Sequence, residues 1–373
     1  MVNMKVKTIN EGKVKLKIPV EEKHEASVFF NPEAELQRDI SVSALQVWAK
    51  ENKPKTVLDA LSASGARGLR YAKEIKGIGS VTLNDKNPAA VKLIKQNIRL
   101  NKCKKCTASC ADANILMREN VYNIIDIDPF GPPIHFLDSA ARSIYYDGFM
   151  AITATDTAPL SGTYPAACFR KYGIKTIKGT DYYAELGLRI LISHIILTFA
   201  RWDRAFVPVL SHTTMHYFRT YGKMGRASDI ETLLRQFGFV CHCPKCGNRT
   251  FGRSETICDL CGSPYMMAGP LYLGPISDKK FCEDVLSDLS GRKFKQKAAE
   301  MNLLSQNIEE SELPPFYYDI HYVAKKQHLN IPKTEKLLES LRSKGFSAGR
   351  THFCATAVKT NANFKEFVEA LKS

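Results

Sequence analysis

Apolar and polar positions alternate with two different periods along the first half of the chain. Residues 5–19 alternate Val, Ile and Leu with polar side chains on either side of Glu11-Gly12, which predicts a hairpin of half-buried strands. Beyond it, short apolar runs alternate with stretches of helical period. The predicted strands are 56–61, 80–84, 123–128 and 148–155, and the predicted helices are 33–51, 69–75, 88–100 and 134–145. Strands separated by helices indicate a parallel sheet covered on both faces, and therefore a doubly wound α/β fold.

The second half of the chain changes character. Its segments are an apolar helix at 181–200, strand-like runs at 205–210 and 215–220, a cysteine-rich insertion at 241–261, a Lys-rich helical stretch at 278–307, a linker at 313–315 and a small unit at 317–373. Two short helices and a hairpin in the last unit resemble a winged helix. We therefore predict a mostly parallel Rossmann-like sheet with an N-terminal extension, a metal-knuckle insertion and a smaller α+β C-terminal domain. The predicted domains are 1–275 and 276–373.

Membrane and secretory signals are weak in this sequence. The longest apolar stretch, 186–200, is interrupted by Arg189 and His194 and is shorter than the ~20 residues that span a bilayer. The N-terminus alternates apolar residues with Lys and has no apolar core of the secretory type. We predict a cytoplasmic protein with no membrane partner, which functions as a monomer.

Composition adds a charge excess. The chain has 373 residues, of which 44% are hydrophobic, so it can bury a core. Its 53 Lys and Arg against 38 Asp and Glu leave a net charge of +15. Such an excess suggests a polyanionic partner, but basic soluble proteins without one show it too. The motifs must therefore decide.

Acids and small residues follow the predicted strands, where open α/β sheets bind ligands. Asp59 ends the first of these strands, and the turn from Ser62 to Gly65 lets the backbone pass close to a ligand. Asp85 ends the next strand about 20 residues later, the spacing at which an acid accepts ribose hydroxyls. Asp112 follows a third strand-like segment, where it either accepts from an adenine amine or caps a helix. Because the phosphate-binding G-x-G-x-x-G pattern is absent, the cofactor that fits is S-adenosylmethionine.

The strand predicted at 123–128 ends in the turn Asp128-Pro129-Phe130-Gly131. An exocyclic amine on a base is a poor nucleophile because its lone pair is delocalised into the ring. A carboxylate that accepts the amine hydrogens and an aromatic ring that stacks on the base answer this problem. We predict that Asp128 is this acceptor, or a base, and that Phe130 stacks on the substrate. The alternative is a simple turn with a buried Phe.

Several motifs in the same order resemble the tRNA (guanine-26 N2)-dimethyltransferase family over residues 28–360. They are 59–68 (DALSASGARG), 84–85 (ND), 126–131 (DIDPFG), 153–162 (TATDTAPLSG), 29–32 (FFNP) with 38–39 (RD), and 350–353 (RTHF). The resemblance implies a methyltransferase sheet that uses S-adenosylmethionine to add one or two methyl groups to N2 of guanine 26 in tRNA. Taken singly, none of these motifs is specific.

The resemblance also implies residue roles. Positions that hold the cofactor in similar proteins are occupied here by Arg38, Arg67, Asp85, Asp112 and Ala113, and the catalytic carboxylate by Asp128. Phe29 and Phe130 match aromatics that flank the target guanine, although a Phe in Val-Phe-Phe is by itself more often a core residue. Thr155 and Asp156 lie at the end of the strand predicted at 148–155 and are expected to line the pocket or to cap the next loop.

Two groups of cysteines differ in their spacing. Cys243, Cys246, Cys258 and Cys261 form two C-x2-C knuckles separated by 11 residues, which is typical of a structural zinc site, with an iron–sulfur cluster as the alternative. Cys241 is expected to be a bystander. The further C-x2-C of Cys103 and Cys106, followed by Cys110, has no matching pair and is expected to hold reduced thiols rather than a metal or disulfide.

The basic C-terminal third completes the predicted site. Arg350, His352 and Lys359 lie on the predicted hairpin and are candidates for contact with tRNA phosphates, the alternative being a solvated charged face. Two other functions are compatible with the motifs. One is an amino methyltransferase acting on another RNA or DNA base, and the other is a non-catalytic zinc-containing RNA-binding protein.

Overall fold

The computed structural model describes residues 5–20, 28–214 and 216–372. It begins with the predicted hairpin of β1 (Val6–Glu11) and β2 (Val14–Pro19), which pair antiparallel. Gly12 takes φ 51° at the turn, in the left-handed region that glycine enters at little cost. Val14, Leu16 and Ile18 are buried on one face of β2, as the alternation predicts.

Within the described residues, the main sheet has seven strands. They are β3 (Thr56–Asp59), β4 (Ser80–Asn84), β5 (Cys106–Ser109), β6 (Tyr122–Ile127), β7 (Ile144–Ala154), β8 (Ala205–Thr214) and β9 (Tyr217–Gly225). Their order is β5-β4-β3-β6-β7-β9-β8, and the pairs from β5 to β7 are parallel. The strand predicted at 215–220 begins at Tyr217, and Met215 lies outside the described residues. The predicted α/β fold with a mostly parallel sheet is confirmed.

After β3 the chain adds β4 and β5 on one side of that strand, and then adds β6 and β7 on its other side. The winding of the sheet therefore reverses between the neighbouring strands β3 and β6. The connecting helices are α1 (Glu35–Asn52), preceded by a 3-10 turn at Pro32–Ala34, then α2 (Ala66–Glu74), α3 (Pro88–Leu100), α4 (Ala113–Glu119) and α5 (Ile134–Ser143). α5 ends two residues before its predicted end because β7 begins at Ile144. The β-branched and aromatic residues at 144–146 favour the extended chain.

Three helices follow β7: α6 (Thr157–Leu160), α7 (Pro165–Tyr172) and α8 (Tyr183–Ala200). By length and composition α8 could cross a membrane, and 78% of it is buried inside the fold. A core helix passes the same test, so the apolar run here fits a fully surrounded helix.

The segment after β9 contains α9 (Ala227–Leu234) and a three-stranded antiparallel sheet of β10 (Phe237–His242), β11 (Arg249–Gly252) and β12 (Met266–Tyr272). Two helices, α10 (Lys279–Ser290) and α11 (Lys297–Glu310), follow. They correspond to the single Lys-rich helical stretch predicted from the sequence.

The C-terminal part forms a small α+β unit of the predicted winged-helix-like kind. Its elements are β13 (Tyr318–Asp319), α12 (Ile320–Gln327), α13 (Thr334–Ser343), β14 (Ala348–Arg350), β15 (Ala357–Thr360) and α14 (Phe364–Leu371). The strands pair in the order β13-β15-β14, and Leu341, Val358 and Phe367 lie in its apolar core. α14 was not predicted.

The described residues pack as two compact units that interleave along the chain. The first comprises Met1–Thr153, Tyr221–Gly225 and Glu283–Leu304, and the second Ala154–Thr220, Arg226–Cys282 and Ser305–Ser373. Packing groups residues in space rather than in sequence, so the predicted domain boundary between 275 and 276 stays a prediction.

Candidate active site and metal centre

The turn after β3 is held by its neighbours. Ser62 N donates to Asn84 O at 2.7 Å, and the Ser62 hydroxyl donates to Asp59 O at 2.9 Å. Gly65 precedes α2 with φ 79°. Ala63 also takes a left-handed φ, 47°, which costs an L-residue roughly 1–2 kcal/mol. The chain therefore holds this turn in a shape that glycine would adopt more easily.

Asp85 directly follows β4 and lies beside that turn. Its Oδ2 accepts from Ala63 N at 2.9 Å and its Oδ1 accepts from Asn87 N at 2.8 Å. Asn87 is the N-cap of α3. Both carboxylate oxygens are thus fixed by backbone N–H groups, and each has a further lone pair that can accept from a ligand.

Asp59 is 2% exposed, and its Oδ2 accepts from Gly68 N at 2.9 Å. Burial, helped by the neighbouring Asp126, raises the pKa of Asp59 to about 7. The carboxyl group holds the first turn of α2 against the end of β3. Its predicted contact with a cofactor stays a prediction.

Asp128 lies just beyond β6 and its side chain is 26% exposed. The Arg67 guanidinium, which is buried, donates to Asp128 Oδ2. The same guanidinium donates to Gln37 Oε1 at 2.6 Å and to Ser41 Oγ at 3.0 Å, so it is held from behind by α1. Ser41 in turn contacts the Tyr221 hydroxyl at 2.8 Å. A chain of buried polar groups therefore orients the Asp128 carboxylate.

Gln37, Ser41 and Tyr221 were not among the predicted site residues. Their signal in the sequence is faint: Gln37 and Ser41 fall four residues apart on α1, most of whose residues are buried, where polar side chains require partners. Nothing in the spacing connects either residue with Tyr221, which lies 180 residues beyond Ser41.

Phe29 and Phe130 meet directly. Their ring centroids are 4.4 Å apart and their planes are at 89°, an edge-to-face contact. Phe130 is 70% exposed, far more than a core aromatic. Its exposure contradicts the alternative of a turn with a buried Phe.

A cavity of about 700 Å³ opens at this edge of the sheet, within the first unit. Its lining residues are Val28, Phe29, Leu61, Ala63, Asp85, Lys86, Asn87, Ala90, Asp128, Pro129, Phe130, Pro132, His135 and Phe136. The volume is in the range of small-molecule sites, roughly 300–1,000 Å³. Of the predicted residues, the cavity brings together Phe29, Asp85, Asp128 and Phe130.

Other predicted cofactor residues do not line the cavity. Arg38 donates to both carboxylate oxygens of Glu11, each at 2.6 Å. Burial alone would raise the pKa of Glu11, but Arg38 and Arg70 outweigh it and lower that pKa. Asp112 caps α4, where its Oδ1 accepts from Asn114 N at 2.8 Å, and the adjoining Ala113 is buried.

Thr155 and Asp156 belong to the second unit, whereas the lining residues of the cavity all belong to the first. Asp156 accepts from Lys171 Nζ at 3.0 Å and from the Tyr172 hydroxyl at 2.7 Å. Asp156 therefore links the start of α6 to α7, which is similar to its alternative role as the cap of a loop. Its place in a substrate pocket stays a prediction.

The four cysteines of the two knuckles converge in the second unit. Cys243, Cys246, Cys258 and Cys261 have their sulfurs within 4.8 Å of one another, with Cys243 and Cys261 at 3.5 Å and Cys246 and Cys258 at 3.7 Å. Tetrahedral zinc with Zn–S of about 2.3 Å separates its sulfurs by roughly 3.8 Å. The donor set therefore fits zinc, and four thiolates leave no coordination position for substrate.

The knuckles are built by tight turns. Gly247 N donates to Cys243 O and Gly262 N to Cys258 O, both at 2.9 Å, and both glycines have left-handed φ. Asn248 Nδ2 donates to Cys258 Sγ at 3.6 Å, which favours a thiolate there. Cys241 is not among the four converging sulfurs, as expected.

The three residues predicted to contact tRNA differ in exposure. Lys359 is 2% exposed and pairs with Glu185 at 3.0 Å and Glu310 at 3.3 Å. The side chain of His352 is 1% exposed and contacts Glu310. Arg350, whose side chain is 36% exposed, pairs with Glu335 at 2.6 Å. As placed, only Arg350 of the three can reach a phosphate outside the fold.

The chain resembles one family over nearly its whole length. A family model for N2,N2-dimethylguanosine tRNA methyltransferase matches residues 6–372. A protein of Methanosarcina barkeri named tRNA (guanine(26)-N(2))-dimethyltransferase is 39% identical, with 98% of each chain covered. One of Methanopyrus kandleri with the same name is 37% identical over 99% of this chain and 97% of its own. The solved structure of Trm1 from Pyrococcus horikoshii with S-adenosyl-L-methionine superposes with a TM-score of 0.88 at 34% identity, covering 98% of this chain and 100% of that one.

Proposed function

Because the chain belongs to the N2,N2-dimethylguanosine tRNA methyltransferase family, we propose that it methylates the N2 amine of guanine 26 in tRNA, in one or two steps. The observation that carries the proposal is the Asp128-Pro129-Phe130 turn, whose carboxylate and ring both line a cavity of about 700 Å³. S-adenosylmethionine supplies an electrophilic methyl group, and the reaction forms the N2–carbon bond as the sulfur–carbon bond breaks with its electron pair left on sulfur.

Asp85 and Asp128 are the acids of the cavity. In this proposal Asp85, whose carboxylate is held by two backbone N–H groups, accepts from the ribose hydroxyls of the cofactor. The negative charge of Asp85 also attracts a cationic sulfonium, whereas the charge of Asp128 is compensated by Arg67. A site of this volume with an acid beyond β4 therefore fits an adenosyl cofactor.

Asp128 accepts hydrogen bonds from the target amine in this proposal. Rotation of the amine out of conjugation frees its lone pair, and the carboxylate holds the rotated geometry in line with the methyl group. After transfer the amine nitrogen carries a positive charge and must lose one proton. Because Arg67 pairs with Asp128, the carboxylate acts chiefly as an orienting acceptor, and the proton leaves to it or to water.

Phe29 and Phe130 stack on the guanine. A base within folded tRNA must leave its stack, at a cost of a few kcal/mol. Stacking on an aromatic ring returns about 1–3 kcal/mol per base. The centroids of the two rings are 4.4 Å apart and the rings are in edge-to-face contact. A base stacked between two parallel rings lies about 3.5 Å from each of them, which requires about 7 Å between the rings. The two rings must therefore separate when the base enters.

In this proposal tRNA is held by basic groups outside the cavity. Arg350, on the hairpin of the C-terminal unit, is the predicted contact with the highest exposure. Lys359 and His352 contribute to phosphate binding only if their buried contacts with Glu185 and Glu310 open. The metal knuckles and the C-terminal hairpin both belong to the second compact unit. The bound metal stabilises that unit and takes no part in the chemistry. The cytoplasm, where tRNA is modified, is the expected location, and the monomeric state stays a prediction.

The proposal is tested with labelled S-adenosylmethionine, unmodified tRNA transcripts and mapping of the product nucleoside. We expect N2-methylguanosine and N2,N2-dimethylguanosine at position 26. Methylation of another base or nucleic acid would favour the alternative amino methyltransferase, and no incorporation would favour a binding protein.

Asp128→Ala tests the role of the carboxylate in the same assay. The variant should lose methyl transfer by at least 100-fold and still bind S-adenosylmethionine. Asp138→Asn, an exposed carboxylate on α5, is the matched control and should retain activity. Full activity in Asp128→Ala would remove this residue from the chemistry.

A further inference from the structure

Cys103 and Cys106 lie outside the cavity and outside the metal centre, and their sulfurs are 2.7 Å apart. They are the ends of a four-residue turn in which Cys106 N approaches Cys103 O at 3.5 Å. Such a turn brings its end Cα atoms within about 7 Å. Disulfides need a Cα separation of roughly 4.4–6.8 Å, so the backbone already has a compatible shape.

The two thiols are unequal. The hydrogen bond from the Cys106 thiol, together with the backbone N–H groups of Lys105 and Cys106, outweighs burial and lowers the pKa of Cys103 to about 6. The same hydrogen bond and burial raise the pKa of Cys106. At neutral pH the pair therefore consists of one thiolate and one thiol, the arrangement of a nucleophilic cysteine with a resolving partner.

The surroundings favour access by anionic reagents. Lys102, Lys104 and Lys105 are exposed around the turn, and Lys73 adds to the positive potential at both sulfurs. Positive potential raises the local concentration of anionic reagents. Cys103 and Cys106 are 8% and 9% exposed, so they lie just beneath the surface.

We propose that Cys103 and Cys106 form a reversible dithiol–disulfide couple that reacts with small anionic disulfides of the glutathione type. The Cys103 thiolate attacks one sulfur of the reagent, forms a mixed disulfide and releases one reagent thiolate. Cys106 then gives its proton to solvent and attacks Cys103 Sγ, releasing the second thiolate. Two electrons pass from the protein to the reagent, which leaves as two thiols.

The couple should be easily reversed. A disulfide that closes so short a loop removes little entropy from the unfolded chain and therefore gains little stability. Cys103 N donates to Ile98 O at 3.1 Å at the end of α3, and Cys106 begins the edge strand β5. The bond would link positions that the fold already holds together.

The test incubates the full-length protein with oxidised glutathione and maps peptides without reduction. We expect a Cys103–Cys106 cross-link that forms in the wild type and disappears when reduced glutathione is added. The Cys110→Ser variant, which lacks the exposed neighbouring thiol, should form it equally. This inference does not depend on the proposed methyl transfer.

Trapping variants identify the attacking thiol. Cys106→Ser should accumulate glutathione on residue 103, whereas Cys103→Ser should react at residue 106 at least 10-fold more slowly. If wild-type Cys110 becomes glutathionylated while no 103–106 cross-link forms, the proposal is wrong. Faster reaction of Cys106 than of Cys103 would also overturn it, and the wild-type measurement needs no variant to fold.

Discussion

The buried Arg67 guanidinium pairs with the carboxylate of Asp128, a residue that also lines the cavity. Gln37 and Ser41 anchor the guanidinium, so its direction is set by α1. The acids Asp126 and Asp128 raise the pKa of Arg67 although burial opposes them, so it stays charged. The carboxylate that faces the substrate is therefore held by a fixed cation.

Arg67→Lys should lower kcat about 10-fold or more at saturating S-adenosylmethionine. Lysine retains the charge but lacks the planar fork that contacts Asp128 and Gln37 together. Misplacement of a reacting group by about 1 Å costs up to roughly 100-fold in rate. Steady-state kinetics separate the two roles open to Arg67: a higher KM for S-adenosylmethionine with unchanged kcat would make it a cofactor ligand only.

Phe130→Ala should lose turnover far more than tRNA affinity. Stacking contributes about 1–3 kcal/mol per base, and its loss destabilises the complex in which the guanine has left the tRNA stack. Phosphate contacts elsewhere dominate binding to tRNA. Filter binding and single-turnover rates measure the two effects, with Tyr146→Ala as a control at another exposed aromatic. Equal losses of affinity and turnover would contradict this division.

Glu300 should make stability fall as pH rises. Burial and the nearby Asp39 raise the pKa of Glu300 from 4.5 to about 9. Between these two pH values the folded state keeps a proton that the unfolded chain releases. The stabilisation from protonated Glu300 is therefore fully present below pH 4.5 and is lost as the pH rises to about 9.

Thermal unfolding of Glu300→Gln tests this origin. The amide cannot ionise, so the decline in Tm between pH 5 and pH 9 should become shallower than in wild type. Glu51→Gln, at an exposed position of α1, should leave the slope unchanged. An identical slope in Glu300→Gln would assign the pH dependence to other groups.

Removal of the metal should loosen α12 as well as the knuckles. Gln327 Nε2 donates to Cys246 O at 2.8 Å, and Lys326 donates to Pro244 O. Cys246→Ser should lose the metal by elemental analysis, lower Tm and speed hydrogen exchange in α12. Cys241→Ser, outside the four, should retain the metal. Iron with a visible absorption band would identify a cluster in place of zinc.

Ala63→Gly should be tolerated despite the loss of a side chain. The substitution removes the strain of a left-handed φ at Ala63, which is roughly 1–2 kcal/mol. It also increases the conformational entropy of the unfolded chain, which lowers the stability by about 0.5–1 kcal/mol. We expect a free energy of unfolding equal to wild type or slightly higher. Ala299→Gly, in α11, has no such compensation and should lower it by roughly 0.5–1 kcal/mol. Denaturant unfolding compares the two.

Much of the fold followed from local patterns. β4 and α3 begin and end where the alternation and the Asn-Pro cap predict, because their hydrophobic periods and capping residues are contiguous in sequence. The cysteine spacing likewise predicted the convergence of four sulfurs, since each knuckle is a single turn. Residues 144 and 145 were predicted to end a helix, but they begin β7, where Ile144 pairs with Tyr122 on β6, more than twenty residues earlier in the chain.

The sequence alone determined most elements of the parallel sheet, the acids at the carboxyl ends of its strands and the metal knuckles, because each depends on residues close together in the chain. Only the tertiary structure decided which charges face a ligand. It buried Lys359 against Glu185 and Glu310, turned Arg38 toward Glu11 and placed Gln37 behind Arg67. A buried charge must find an opposite partner wherever the fold supplies one, and the distance along the chain does not limit that choice.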